Sequence, residues 1–108
     1  MLLLKRKMKS SKTYHTYIMT NPWNKVFYIG VTSNLRGRMW QHKKKVHPQS
    51  FTAKYGINKL VYFAEFNDIN EAITYEKKLK NWHRQWKINL IKRENSNFED
   101  LSKDWLED

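Results

Sequence analysis

The residues in this sequence best suited to chemistry are few and far apart: Glu76, the pair Arg38 and His42, and Tyr17 with Tyr28. Glu76 falls between Ile73 and Leu79, in the middle of an apolar stripe at helical spacing. A carboxylate on that side of a helix is costly unless a cation, hydrogen bonds or a metal compensates it. In so basic a chain, an ion pair with a nearby Lys or Arg and a metal-binding role carry equal weight. Arg38 and His42 are spaced i, i+4 and share one helix face. Arginine offers a rigid fork of donors for phosphate oxygens, and histidine can move a proton near neutral pH. Lys43, Lys44 and Lys45 follow at once, so spacing alone favours a plain solvated basic helix. Tyr17 and Tyr28 lie on segments that read as neighbouring strands. Their phenols could bind a phosphate, hold a water or act as a base under cationic influence. Buried tyrosines in a small sheet are more often core residues with satisfied hydroxyls, and composition does not choose between the two.

Other chemistries are poorly served. There is no cysteine, hence no thiol nucleophile, disulfide or cysteine zinc site. The chain has 3 glycines and no phosphate-cradling glycine loop. His15, His42, His47 and His83 lack a zinc spacing, and no Ser-His-Asp set is readable among so few acids.

Charge narrows the partner. The formal net charge is +11, and all ten acidic residues lie from Glu65 onward, half of them between Glu99 and Asp108. The 13 Lys and Arg from Met1 to Ala64 are unopposed in sequence. Such a one-sign surface attracts polyanions. A basic amphipathic membrane helix would need a clean apolar face, whereas the aromatics here are interleaved in mixed patterns. Nucleic acid is the expected partner. No apolar run approaches the roughly 20 residues of a membrane span, and Met1-Leu2-Leu3-Leu4 is too short for a signal core. Lack of cysteine fits a reducing compartment, so the cytoplasm is the expected location.

The elements that must position these residues can be read in order. Residues 1–12 form a basic N-terminal arm, expected to be flexible, and 13–106 a single domain. Thr13 to Thr20 and Val26 to Val31 read as strands joined by the turn Asn21-Pro22-Trp23-Asn24-Lys25. Thr32-Ser33-Asn34 can cap a helix from Leu35 to Lys45, with Leu35, Met39 and Val46 turned to the core. Phe51 to Gly56 reads as a helical turn closed by glycine. Lys59 to Phe66 is a third strand. A long helix is predicted from Asn70 to Arg93, its stripe made by Ile69, Ala72, Ile73, Leu79, Trp86 and Leu90, with His83 at its rim. A last short helix would present Phe98, Leu101, Trp105 and Leu106. The class is α+β: a three-stranded antiparallel sheet flanked by helices, in the order ββαβαα.

Taken together, these positions resemble the GIY-YIG nuclease signature. Tyr28-Ile29-Gly30 is its second half, and His15-Thr16-Tyr17 stands where Gly-Ile-Tyr would be, keeping the tyrosine 11 residues before Tyr28. Arg38 lies ten residues beyond Tyr28 with His42 on the next turn, similar to the family's arginine helix. Glu71 to Lys80 resembles the segment bearing the family's metal-binding glutamate, here Glu76, and Asn95 matches a late asparagine of small stand-alone bacterial members. The chain is similar in this respect to the N-terminal domain of the excision-repair endonuclease. Two departures are His15-Thr16 for Gly-Ile, and Ser96 where proline is usual.

The resemblance implies a metal-dependent DNA endonuclease leaving 5′-phosphate and 3′-hydroxyl ends, working in DNA repair or recombination, alone or within a larger assembly. Glu76 would hold one Mg²⁺ or Mn²⁺. Tyr17 would be the base or orient the water, supported by Tyr28. Arg38 would stabilise the transition state, His42 would assist at the phosphate or lower the tyrosine pKa, and Asn95 would orient Tyr17, Glu76 or a water. Arg36, Lys43, Lys44, Lys45 and Lys54 would bind the DNA backbone. The competing expectation is a nucleic-acid-binding protein that keeps the fold without turnover.

Overall fold

The computed structural model describes residues 12–105. The basic arm therefore lies outside the described residues apart from Lys12, as does Leu106. Strands β1 (Tyr14–Thr20), β2 (Phe27–Thr32) and β3 (Lys59–Phe66) form an antiparallel sheet in the order β2-β1-β3. Around it lie α1 (Leu35–Lys43), the single turn α2 (Phe51–Lys54), α3 (Ile69–Asn81) and α4 (Arg84–Glu94). The sequence order is ββαβαα with α2 added as the expected glycine-closed turn; Gly56 takes φ +64°.

Strand alternation sorts the core into two layers. Tyr17 and Met19 face Leu35 and Met39 of α1, with Ile57 and Leu60 beside them. Ile18, between them, joins Ile29, Val61, Tyr62, Leu79, Leu90, Ile91 and Phe98 on the other face. A register shift between Ile18 and Met19 lets Ile18 pair with Tyr62 and Met19 with Leu60. That bulge allows the consecutive residues Val61 and Tyr62 to enter the same cluster. Burying a side chain such as Leu79 or Ile91 completely is worth roughly 1.5–3 kcal/mol.

Caps fix the helix starts. The Asn34 side chain accepts from the Gly37 N–H at 3.0 Å and Asp68 from Asn70 at 2.9 Å, each worth about 1 kcal/mol. Helix α1 is shorter than predicted. It ends at Lys43, Lys45 turns left-handed at φ 52°, and Val46 is exposed instead of reaching the core.

The long helix predicted over 70–93 is two helices. Trp82 and His83 are both extended, with ψ 150° and 151°, which ends α3 and resets the phase for α4. The stripe fails beyond this break. Ile91 is buried with Leu90, Trp86 is exposed, and His83 is an exposed N-cap. Ile69, at the start of α3, is also exposed. The predicted last helix is a series of turns, in which Phe98 is buried at φ 52° and Leu101 is exposed. Its backbone is claimed by the sheet, since the Leu101 N–H donates to the Leu60 carbonyl at 2.7 Å.

Candidate active site

Tyr17 is fully buried on the central strand, paired with Gly30 on the edge strand β2. Its ring lies across that glycine: a Cβ on Gly30 would stand 2.6 Å from the Tyr17 hydroxyl oxygen. Glycine is needed here for close approach, not for an unusual dihedral. The phenol is thereby carried over β2 to the edge of the sheet. There its oxygen lies 3.4 Å from His42 Nε2. Tyr28 completes the group, its ring 6.2 Å from that of Tyr17 and 5.8 Å from the His42 ring.

Arg38 and His42 project from the same face of α1, as their spacing predicts. Both line a cavity of about 480 Å³ with Tyr28, Lys45, His47 and Phe51. No Asp or Glu lines it. The far side of His42 is fixed too. Its Nδ1 is 3.0 Å from Thr52 Oγ1, which is 3.2 Å from Ser50 Oγ, and Ser50 accepts from the Ala53 N–H at 3.3 Å. With His42 as the Nδ1–H tautomer, Thr52 Oγ1 accepts from the ring and Nε2 faces Tyr17 as an acceptor.

Electrostatics assign protonation states. Burial holds the Tyr17 phenol well above its ordinary range, Tyr28 adds to this, and the Arg38 guanidinium only partly opposes it. The imidazole of His42 is lowered to about 4, first by burial and then by Arg38 and His47. The expectation that His42 would lower the tyrosine pKa is thus corrected, because a neutral imidazole brings no positive charge. Near neutral pH the pair is a phenol beside a neutral imidazole.

Glu76 is placed differently. It lies on α3, which packs beneath the other face of the sheet, and its carboxylate pairs with Lys80 at 2.7 Å. It does not line the cavity shared by Arg38 and His42. Its direction follows from its neighbours. Ala72 and Leu79 mark the buried line of α3, and Tyr75 packs on Tyr62 and Phe66 of β3. At about 100° per residue, Glu76 occupies the opposite flank from Tyr75. The Glu76 side chain keeps only 17% of its surface exposed, its lysine partner 55%.

Two expected site residues are committed elsewhere. Asn95 donates to the Val61 carbonyl at 3.1 Å and the Glu99 carbonyl at 2.9 Å, and accepts from the Glu99 N–H at 3.1 Å. It clamps the turn after α4 to β3 and does not contact Tyr17 or Glu76. Lys43 pairs with the half-buried Asp100 and donates to the Asn58 carbonyl at 2.8 Å. Its charge is neutralised within the fold, unlike the exposed Arg36, Lys44, Lys45 and Lys54. Lys45 lies in the cavity wall, whereas Arg36 lines a different cavity with His15, Phe63 and Trp105.

A family model described as the GIY-YIG catalytic domain matches residues 13–89. The chain belongs to the GIY-YIG family. That family is one of nucleases. The GIY-YIG fold is also seen in a solution NMR structure, the UPF0213 protein BH0048 from Bacillus halodurans, at TM-score 0.53 and 23% identity, covering 84% of this chain and 95% of that one. No curated protein matches.

Sequence reasoning missed Thr52, Ser50 and Phe51 in this GIY-YIG site. The segment reads locally as a capped helical turn, and nothing nearby in sequence shows that it folds against His42. The one available signal was Phe51 and Tyr55 at i, i+4, two aromatics on a turn too short to bury them.

Proposed function

We propose that the protein is a metal-dependent endonuclease hydrolysing phosphodiester bonds in DNA to 5′-phosphate and 3′-hydroxyl ends. The observation that carries this is the Tyr17–His42 contact at 3.4 Å, which backs a cationic cavity lined by His42, Arg38 and Tyr28 and by no acid. Arg38 would grip a phosphate oxygen and stabilise charge on the pentacoordinate phosphorus. The buried phenol is a poor base by itself. It can instead donate its hydroxyl hydrogen to His42 Nε2 and fix that ring, leaving Tyr28, which lines the cavity, to orient or deprotonate the attacking water. The neutral His42 ring can accept that hydrogen bond, and its contact with Thr52 holds Nε2 toward Tyr17. Tyr28 would pack against both rings and hold the water or phosphate.

A divalent cation such as Mg²⁺ or Mn²⁺ fits Glu76. Among the described residues no three His, Asp or Glu converge into a metal cage, so Glu76 would be the one protein ligand. Mg²⁺ commonly binds through one carboxylate, keeping most of its waters. The exposed Lys80 can give way to the ion. When bound, the metal would neutralise charge on the phosphate and the leaving oxygen. Arg36, Lys44, Lys45 and Lys54 would contact flanking phosphates, and a role in repair or recombination fits such a nuclease.

The test is plasmid nicking with Mg²⁺ and with Mn²⁺, together with a panel of duplex, flap, junction and single-stranded DNA. Wild-type protein should cut and Glu76→Ala should not. Wild-type binding without any cleavage across the panel would replace this reading with that of a DNA-binding protein.

A further inference from the structure

The cavity holding Arg38 and His42 has a wall that phosphate chemistry does not require. Phe51 and Tyr55 stand side by side at one edge of α2, ring centroids 4.6 Å apart, and Phe51 continues to Tyr28 at 6.4 Å with an interplanar angle of 30°. The three rings form a row running out from the catalytic group. Its outer members are open to solvent, Phe51 by 49% and Tyr55 by 54%. The Ser50 cap and the Ile57 N–H to Thr52 carbonyl bond at 2.9 Å hold this turn in place. Trp82 and Trp86 also meet, edge to face, but they belong to the helices on the opposite face of the sheet.

An exposed aromatic row beside cationic groups has a specific use. Arg38 and Lys45 suit a sugar-phosphate backbone, and the row offers flat apolar faces beside it. Within an intact duplex the bases are stacked on one another and cannot reach such faces. An unpaired base can stack on aromatic side chains, in the way that single-strand binders combine a basic groove with aromatic platforms. We infer that the Tyr28–Phe51–Tyr55 row is a base-stacking subsite, which directs the enzyme to DNA with an unpaired nucleotide next to the scissile phosphate. This rests on the proposed nuclease reading and adds the substrate class to it.

The test reads binding, not cleavage. Oligonucleotides carrying 2-aminopurine are prepared as a single strand, as a duplex with the probe in a one-nucleotide bulge, and as a fully paired duplex. Fluorescence and anisotropy are followed with EDTA present. Wild-type protein should bind the single strand and the bulge more tightly than the paired duplex and quench the unpaired probe. Phe51→Leu, which keeps apolar bulk without a ring, and Tyr55→Ala should each weaken unpaired binding by about five- to a hundredfold, and Tyr55→Ala, which lies outside the cavity lining, should leave paired binding unchanged. Phe51→Trp should retain the preference. Equal wild-type affinity for all three DNAs would overturn the inference, as would unchanged single-strand affinity in Phe51→Leu and Tyr55→Ala. Expected binding without cleavage would sink the nuclease reading alone; cleavage without preference would sink the stacking subsite alone.

Discussion

The Tyr17 phenol occupies the volume that a side chain on Gly30 would fill. A Cβ at residue 30 would lie 2.6 Å from the hydroxyl oxygen and 2.7 Å from the ring carbon bearing it. Tyr17 is fully buried and cannot swing aside cheaply. Gly30→Ala should therefore destabilise the fold by about 1–3 kcal/mol through overpacking. It should also displace the phenol from His42. Chemical denaturation measures the first effect and nicking rate the second. A variant with wild-type stability and rate would show that the ring is not held as described.

The depressed imidazole of His42 makes a signed prediction about pH. The unfolded chain protonates this histidine near its ordinary 6.5, whereas the folded protein resists until about 4. Between these values the unfolded state binds more protons, so stability rises with pH and falls on acidification. After discounting for partial exposure, the effect should be about 1–2 kcal/mol. Denaturation of wild type and His42→Gln at pH 7 and pH 4.5 should show a steeper loss in wild type. Equal losses would mean that the ring is not depressed.

Thr52 is predicted to act through His42. In the Nδ1–H tautomer its hydroxyl, 3.0 Å from the ring nitrogen, accepts from Nδ1–H and leaves Nε2 to face Tyr17. Thr52→Val keeps shape and removes that acceptor, which should cost about 1–3 kcal/mol for a stranded donor. Cleavage should fall, and nitrogen NMR should show loss of the single tautomer. Thr52→Ser should restore both. A Thr52→Val protein with an unaltered tautomer would end this role.

Neighbouring lysines on and after α1 should behave differently. Lys43→Ala breaks the pair with Asp100 and should destabilise the fold by about 1–3 kcal/mol. It should leave the salt dependence of DNA binding unchanged. Lys45→Ala should leave stability alone and reduce the salt slope by about 1. Denaturation and binding at several salt concentrations separate the two. The reverse pattern would put Lys43 on the DNA surface.

What could be read in advance depended on how local its cause was. Strand alternation and the turn at 21–25 are local, so the hairpin carrying Tyr17 and Tyr28 followed from pattern, as did Arg38 and His42 on one helix face. The break at Trp82-His83 was invisible because helical arithmetic runs on through any residue able to be helical. Two extended dihedrals reset it, and Trp86 moved from the expected core to solvent. Asn95 and Lys43 were misassigned for another reason. Their partners, Val61 and Asp100, lie 34 and 57 residues away, and no spacing rule encodes which polar group will need them. Glu76 was anomalous in sequence because it sits on the flank of a buried stripe; its Lys80 partner was equally available from the i, i+4 rule.

The segment after α4 does more than trail behind the catalytic fold. Asp100 accepts from the Leu60 N–H at 3.1 Å and from the Ser102 N–H and hydroxyl while meeting Lys43, and Phe98 fills the core against Phe27. The recognised family region stops at residue 89, short of Phe98, Asp100 and Ser102. Trimming the protein to that boundary would strip β3 of its outer neighbour and uncover Val61 and Leu60. The packed unit is therefore larger than the family region it contains, and its C-terminal turns work as a latch that the helix carrying Arg38 closes upon.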